Sequence, residues 1–217
     1  MLAFSAHDVA EGSKARHELL AKVLKAQIAD SEAFRTIVTE VYHQAHGEQA
    51  AAVSGLADGA RWIWSLVEEL VPHATQILDF SHAKPYLWEA GKLSYGTGSA
   101  FLTPWVKECE ALRLADKVEP GIAPLERFLA LAPALAPLLH YFHQNAARMR
   151  YGTSRARGLF IGSGAIESAG KQIAAARIKG PGMRWNVEDL NALLVLRCVF
   201  LEQSWPSYWD SRALLAA

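Results

Sequence analysis

The stretch GLADGARWIWSLVEEL, residues 55–70, decides the fold. A short apolar run halts at Asp58-Gly59, a segment carrying Trp62 and Trp64 follows at once, and Pro72 stops it. With the residues before it, QAAAVSGLA (49–57), the run reads as a buried strand that ends at Asp58. A helix over about residues 60–70 comes next. In an α/β sheet, ligands collect in the crevice at the carboxyl ends of the strands. Asp58 therefore has two readings. It is either a helix-capping acid that accepts a backbone N–H two or three residues on, or a metal-binding carboxylate whose partner lies elsewhere in the chain.

Working outward, TQILDF (75–80) reads as a second buried strand and SHAKPYLWEAGKL (81–93) as a loop leading into a helix. Upstream, Leu19, Leu20, Val23, Leu24 and Ile28 recur at helical spacing and predict a helix over 13–29. Phe34, Ile37, Val38, Val41, Tyr42 and Ala45 predict another, capped by Ser31 or Asp30 and ended at Gly47. The order helix, strand, helix, strand, helix predicts a parallel α/β layer rather than a meander. Residues 100–150 change character. They are rich in Ala and Leu, are punctuated by Pro104, Pro120, Pro124, Pro133 and Pro137, and read as short inserted helices. Beyond them the sequence predicts a helix from about Ser163 to Ile178, a Gly-Pro-Gly turn, and a last helix over about 187–203. SWPSYWD (204–210) reads as an aromatic cap packed onto the rest.

No linker-like composition interrupts the 217 residues, and a single domain is expected. Its parts are N-terminal helices (1–47), an α/β core (48–98), a helical insertion (99–150) and C-terminal helices (151–217). No stretch reads as a signal peptide or approaches the roughly 18 apolar residues of a membrane span. With two cysteines and no Cys-x-x-Cys, the expectation is a cytoplasmic protein with reduced thiols.

Net charge is zero, from 22 basic and 22 acidic residues, but the distribution is uneven. Residues 148–197 hold Arg148, Arg150, Arg155, Arg157, Lys171, Arg177, Lys179, Arg184 and Arg197 against only Glu167, Glu188 and Asp189. A local excess of this kind attracts phosphate backbones if it falls on one face. Glu167 lies in the first turn of a predicted helix preceded by Gly-Ser-Gly, where the helix dipole favours a carboxylate. Asp58 and Glu167 flank the helical insertion, and carboxylates from a strand end and a neighbouring helix suit Mg²⁺ or Mn²⁺ in phosphoryl transfer. His82, after the second strand, could orient a phosphate, relay a proton or donate to a carboxylate. The i, i+3 pairs His43/His46 and His140/His143 lack the further ligands that zinc needs. SAGK (168–171) and the Gly-Ser-Gly of 162–164 match only fragments of known catalytic and nucleotide-binding signatures.

Three stretches taken together, ADGARWIWSL (57–66), ILDFSHAKPYLWE (77–89) and IGSGAIESAGKQI with RIKGPGMRWNVEDLNALLVLR (161–197), resemble the bacterial insertion-sequence transposases of the IS-Kra group. These are similar in turn to the wider Mutator-like DDE transposases, and the resemblance covers about residues 48–210. It implies an α/β, helix-rich fold: a partial ribonuclease-H-like core with an all-helical insertion before the last catalytic helix. Asp58 would be the second catalytic Asp and Glu167 the final Glu, together holding Mg²⁺ or Mn²⁺. Asp79 and His82 would match the family's D/C-x-x-H signature. The implied activity is metal-dependent cleavage and strand transfer at transposon ends. DNA would be held by Arg155, Arg157, Lys171, Arg177, Lys179 and Arg184, with a second copy of the chain as a further partner.

The sequence departs from the family at the start of the core. Members carry a first catalytic Asp on a strand, followed by two more strands. Here Asp8 is followed within a few residues by the predicted 13–29 helix, and Asp30 lies between predicted helices. The expectation is the C-terminal portion of a transposase with two of three metal ligands, inactive alone. The alternative is a non-catalytic DNA-binding or regulatory protein of transposase descent.

Overall fold

The computed structural model describes residues 2–7, 18–175 and 178–216. Along the chain run β1 (Leu2–His7), β2 (Glu18–Leu24), α1 (Ser31–Gln44), β3 (Ser54–Ala57), α2 (Arg61–Leu70) and β4 (Thr75–Leu78). Then come α3 (Ala83–Tyr95), α4 (Leu102–Leu114), α5 (Val118–Ile122), α6 (Ala136–Asn145) and α7 (Tyr151–Ala156). Last are α8 (Gly164–Gly170), α9 (Val187–Leu201) and α10 (Trp205–Ala216). The class is α/β and helix-rich. The chain divides into two compact units, Ala52–Ser163 and Met1–Ala51 with Gly164–Ala217.

In the 52–163 unit, β3 and β4 form a two-stranded parallel pair, with Leu56 opposite Ile77 and Ala57 opposite Leu78. A parallel pair needs a crossover, and α2 supplies it. Pro72 lies just beyond the helix, where its missing N–H leaves no further turn to break. α2 buries Trp64 and Leu66 and leaves Trp62 exposed. Ile77 and Leu78 are fully buried beneath a helical layer formed by the 100–150 region. Along α4 the buried residues are Leu102, Trp105, Val106, Cys109 and Arg113, a helical stripe with a cation at its end. Gly91 of α3 lets the two helices meet. A Cβ there would stand 2.5 Å from Leu102 Cδ1 and 2.8 Å from the Trp105 ring. Burial pushes the Cys109 thiol up to about 12, so it behaves as a small apolar group.

A second clamp lies at the end of the insertion. The Asp116 carboxylate accepts from Gly152 N–H at 2.7 Å, Thr153 N–H at 2.8 Å and the Thr153 hydroxyl at 2.6 Å. It thereby caps α7 from a distance in sequence. A side chain at Gly152 would meet the Leu114 carbonyl at 2.7 Å, so only glycine permits the approach.

In the other unit, β1 and β2 pair antiparallel, with an irregularity between Ser5 and Ala6. Within the helix predicted over 13–29, Glu18–Leu24 is instead a strand, and residues 13–17 lie outside the described residues. Leu19 to Leu24 satisfy a helical period, but the backbone from Glu18 pairs with a strand outside that window, and the non-local partner decides the conformation. Asp30 caps α1, accepting from Ala33 N–H at 2.8 Å. Gly47 stands against Tyr42, whose ring leaves no room for a side chain at that position. Asn191 of α9 both accepts from Ile28 N–H (2.8 Å) and donates to Ile28 C=O (3.2 Å), as a neighbouring strand would. A small apolar cluster gathers Leu24, Ile173, Leu194 and Cys198.

Two further differences from the sequence-based expectation concern this unit. The helix expected over 163–178 is α8, continued by a wider π turn at Lys171–Ala175. SWPSYWD opens α10, with Pro206 in its first turn, where proline is well tolerated. Trp205 and Trp209 remain exposed instead of packing down. No helix among the described residues is long and apolar enough to cross a membrane.

Candidate active site

The register of β3 and β4 sets the geometry. Ala57 faces Leu78, so the next residues, Asp58 and Asp79, stand side by side at the carboxyl edge of the parallel pair. Asp79 N–H donates to Ala57 C=O at 2.7 Å, which extends the ladder one step. The two acids then diverge. Asp58 is exposed, and its Oδ1 accepts from Ala60 N–H at 3.1 Å, immediately before α2. It acts as a local turn cap on an exposed side chain. Asp79 is 1% exposed.

Asp79 is held from three directions. Its Oδ1 accepts from His82 N–H at 2.7 Å and lies 3.1 Å from His82 Nδ1, while its Oδ2 accepts from Ser163 N–H. Burial pushes the carboxyl up, but the hydrogen bonds from Ser163 and His82 outweigh it and hold the group below the usual carboxylate range. The carboxylate thus holds the His82 ring through Nδ1, and about half of the His82 side chain remains exposed. A buried acid that orients a half-exposed imidazole is an arrangement found where histidines move protons or bind oxyanions. The same carboxylate ties the Gly-Ser-Gly segment to β4, and Phe80 N–H donates to Ile161 C=O at 2.9 Å beside it.

Gly59, with a φ of +104°, lets the Asp58 loop lie against the helical insertion. A Cβ there would stand 3.0 Å from Leu78 Cδ1 and 3.2 Å from the Tyr141 ring. Tyr141 stacks on Tyr86 with centroids 4.3 Å apart. Burial, then Tyr86, Tyr151 and Asp58, push the Tyr141 hydroxyl well above the usual tyrosine range. The Arg113 guanidinium lies 4.4 Å from the Phe80 ring centroid and 5.7 Å from that of Tyr151.

No family model, no curated protein and no solved structure matches the chain.

Glu167 belongs to the other unit, exposed in the first turn of α8. Lys171, Lys179 and Arg184 of that unit are exposed as well, and Arg177 lies outside the described residues. Arg155 and Arg157, in the 52–163 unit, are exposed at the end of α7, with Arg157 Nη1 3.1 Å from Thr75 Oγ1. Other charges of the basic window are committed to the protein. Arg148 donates to Gln76 at 2.7 Å and lies over Trp64, Arg150 pairs with Glu119 at 2.7 Å, and Arg197 donates to Gln172 C=O at 2.8 Å. The histidine pairs set aside for zinc are also used locally, His43 with Glu48 and His143 with Glu126. Sequence reasoning missed Ser163, Tyr141, Tyr151 and Arg113. Only Arg113 left a trace, as the residue that completes the helical stripe of α4.

Proposed function

We propose that the chain is part of a DDE-type transposase with a ribonuclease-H-like core, holding two of the three acidic metal ligands, Asp58 and Glu167. The chain binds DNA at transposon ends and does not cut it by itself. The observation that carries the reading is the exposed Asp58 carboxylate, placed directly after a parallel strand and beside the Asp79–His82 pair. Of the two candidates for the first catalytic Asp, Asp30 caps α1 and Asp8 lies outside the described residues.

Mg²⁺ or Mn²⁺ takes hard oxygen donors of the kind Asp58 presents. Yet no three His, Cys, Asp or Glu side chains gather into a cluster among the described residues. The donors fit in kind and fall short in number, so no step is drawn through an ion. What the chain's own residues do is narrower. His82, held by Asp79, donates to a phosphate oxygen beside exposed Arg155 and Arg157 of the same unit, and exposed Lys171, Lys179 and Arg184 of the other unit make phosphate contacts of their own.

Anisotropy titration of labelled duplex DNA from about 50 to 200 mM salt tests the reading, with plasmid nicking in Mg²⁺ or Mn²⁺ run in parallel. Expected are binding that weakens steeply with salt and no nicking by this chain. Removing Arg155 and Arg157 should lower the salt slope by about one for each phosphate no longer neutralised. Absence of binding even at low salt would sink the proposal. A second reading, a DNA-binding relic with no metal site, is favoured by the Asp58–Ala60 cap. Paramagnetic broadening by Mn²⁺ at Asp58 and Glu167 separates the two, because a relic shows none.

A further inference from the structure

The Asp58 loop rests against a stack of two tyrosines. A Cβ at Gly59 would stand 3.2 Å from the Tyr141 ring and 3.3 Å from its hydroxyl oxygen. Tyr141 is anchored in the core by fully buried Phe142, which meets it edge-on at 5.5 Å. Its other ring neighbour is Tyr86 of α3, stacked with centroids 4.3 Å apart and planes 19° from parallel. One face of Tyr86 is therefore covered, yet the residue is 38% exposed, and Tyr141 is its ring partner among the described residues. Tyr86 also stands four residues after His82, which immediately precedes α3 and already has helical backbone angles, φ −68° and ψ −28°. Residues so spaced share one side of a helix, about 5–6 Å apart at Cβ.

A tyrosine held on one face and open on the other is a pre-organised flat surface, with few rotatable bonds left to fix when a second ring settles on it. Base–aromatic stacking tolerates any sequence, because every base has a π-face. A base inside a duplex already has its faces covered by its neighbours, so only an unpaired base can use the shelf. Arg155 and Arg157, exposed in the same unit, favour an anionic strand over a neutral aromatic compound. We propose that Tyr86 is a stacking platform of the candidate site, which takes DNA with an unpaired base on Tyr86 and the adjoining phosphate at His82. The proposal rests on the DNA-binding reading above and narrows its substrate, from duplex in general to DNA with an unpaired nucleotide.

Three labelled duplexes of one sequence test it in the full chain: one fully paired, one with a single unpaired adenine, and one with an abasic residue in place of that adenine. The abasic probe keeps the backbone distortion and lacks the ring. The adenine probe should bind about tenfold tighter than either of the others, the size that one base–aromatic contact supplies. Tyr86→Ala should lose that preference while its affinity for the paired duplex stays level, and Tyr86→Trp should keep it. Equal affinity for the adenine and abasic probes overturns the proposal, as does a preference that survives in folded Tyr86→Ala. A second readout needs no variant. The ring protons of Tyr86 should shift upfield when the adenine probe binds and stay in place with the abasic probe. Unmoved Tyr86 signals in the saturated adenine complex overturn the proposal too. Salt-dependent binding of all three probes alike leaves the DNA-binding reading standing and removes only the platform, whereas absence of binding to all three removes both.

Discussion

Residues 52–163 close one continuous apolar core in which Leu125, Leu135, Phe142 and Met149 are fully buried around β4. The described part of the other unit gathers only the smaller cluster Leu24, Ile173, Leu194 and Cys198, and both units leave large apolar side chains exposed, Phe101 and Leu131 in the first, Phe200, Trp205 and Trp209 in the second. The contrast extends to charge. The first unit holds Asp79 and Arg113 inside, at fixed positions, whereas Glu167, Lys171, Lys179 and Arg184 stand at the surface of the second. A dense frame is what keeps a buried carboxylate and a histidine within hydrogen-bond reach of each other. In the proposed function, the surface cations of the second unit are what a phosphate backbone, charged at regular intervals, would meet. The fixed acid–histidine pair lies in 52–163, and Lys171, Lys179 and Arg184 lie at the surface of the other unit.

The strongest way to break that contrast is to empty one core and then the other. Phe142→Ala should cost about 3–5 kcal/mol in urea unfolding, since the ring is fully buried among fixed neighbours. Leu194→Ala should cost about 2 kcal/mol, because a small cluster relaxes around the gap. Equal costs would mean that the second unit is as tightly packed as the first. Next in size is Asp79→Asn, expected to cost about 2–3 kcal/mol at neutral pH, because hydrogen bonds to a charged, buried acceptor are removed. This effect depends on pH with a definite sign. The folded pKa of Asp79 lies below its ordinary 3.8, so its contribution is fully present above that value. It disappears as pH falls through the lower folded value. Asp116, depressed by its hydrogen bonds to Thr153 and Gly152 despite the opposing effect of burial, titrates in the same window. Unfolding curves below about pH 4 should therefore flatten in Asp79→Asn without becoming level.

Much of the first unit is legible in the sequence. β3 and β4 are short apolar runs that end at Asp58 and Asp79, Pro72 marks the stop of α2, and the prolines of 100–150 mark broken helices. These signals are local, and local signals survive folding. The element that misleads is β2, whose leucines fit a helical period while its pairing partner lies outside the window being read. The relative standing of the two acids is also hidden. Asp58 stands out in the sequence because it precedes an obvious helix, but which acid is buried depends on Ser163, distant in sequence, delivering its N–H to Asp79. Arg113 is legible only as the last position of the α4 stripe, because charge patterns assign arginine to the surface.

The smallest expected effect in stability separates the two readings of Asp58 most sharply. As a cap, Asp58 accepts one backbone N–H, and Asp58→Ala should cost about 1 kcal/mol or less. Asparagine caps as well as aspartate does, so Asp58→Asn should leave unfolding unchanged within roughly a few tenths of a kcal/mol. The same change removes the negative charge that a hard cation requires. If Asp58 is only a cap, Asp58→Asn is silent in stability and in Mn²⁺ broadening alike. If it is a metal carboxylate, stability stays level while the broadening near residue 58 vanishes. Asp79→Asn should do the reverse, lowering stability and leaving the broadening in place. Each acid is then assigned by the measurement to which the other does not respond.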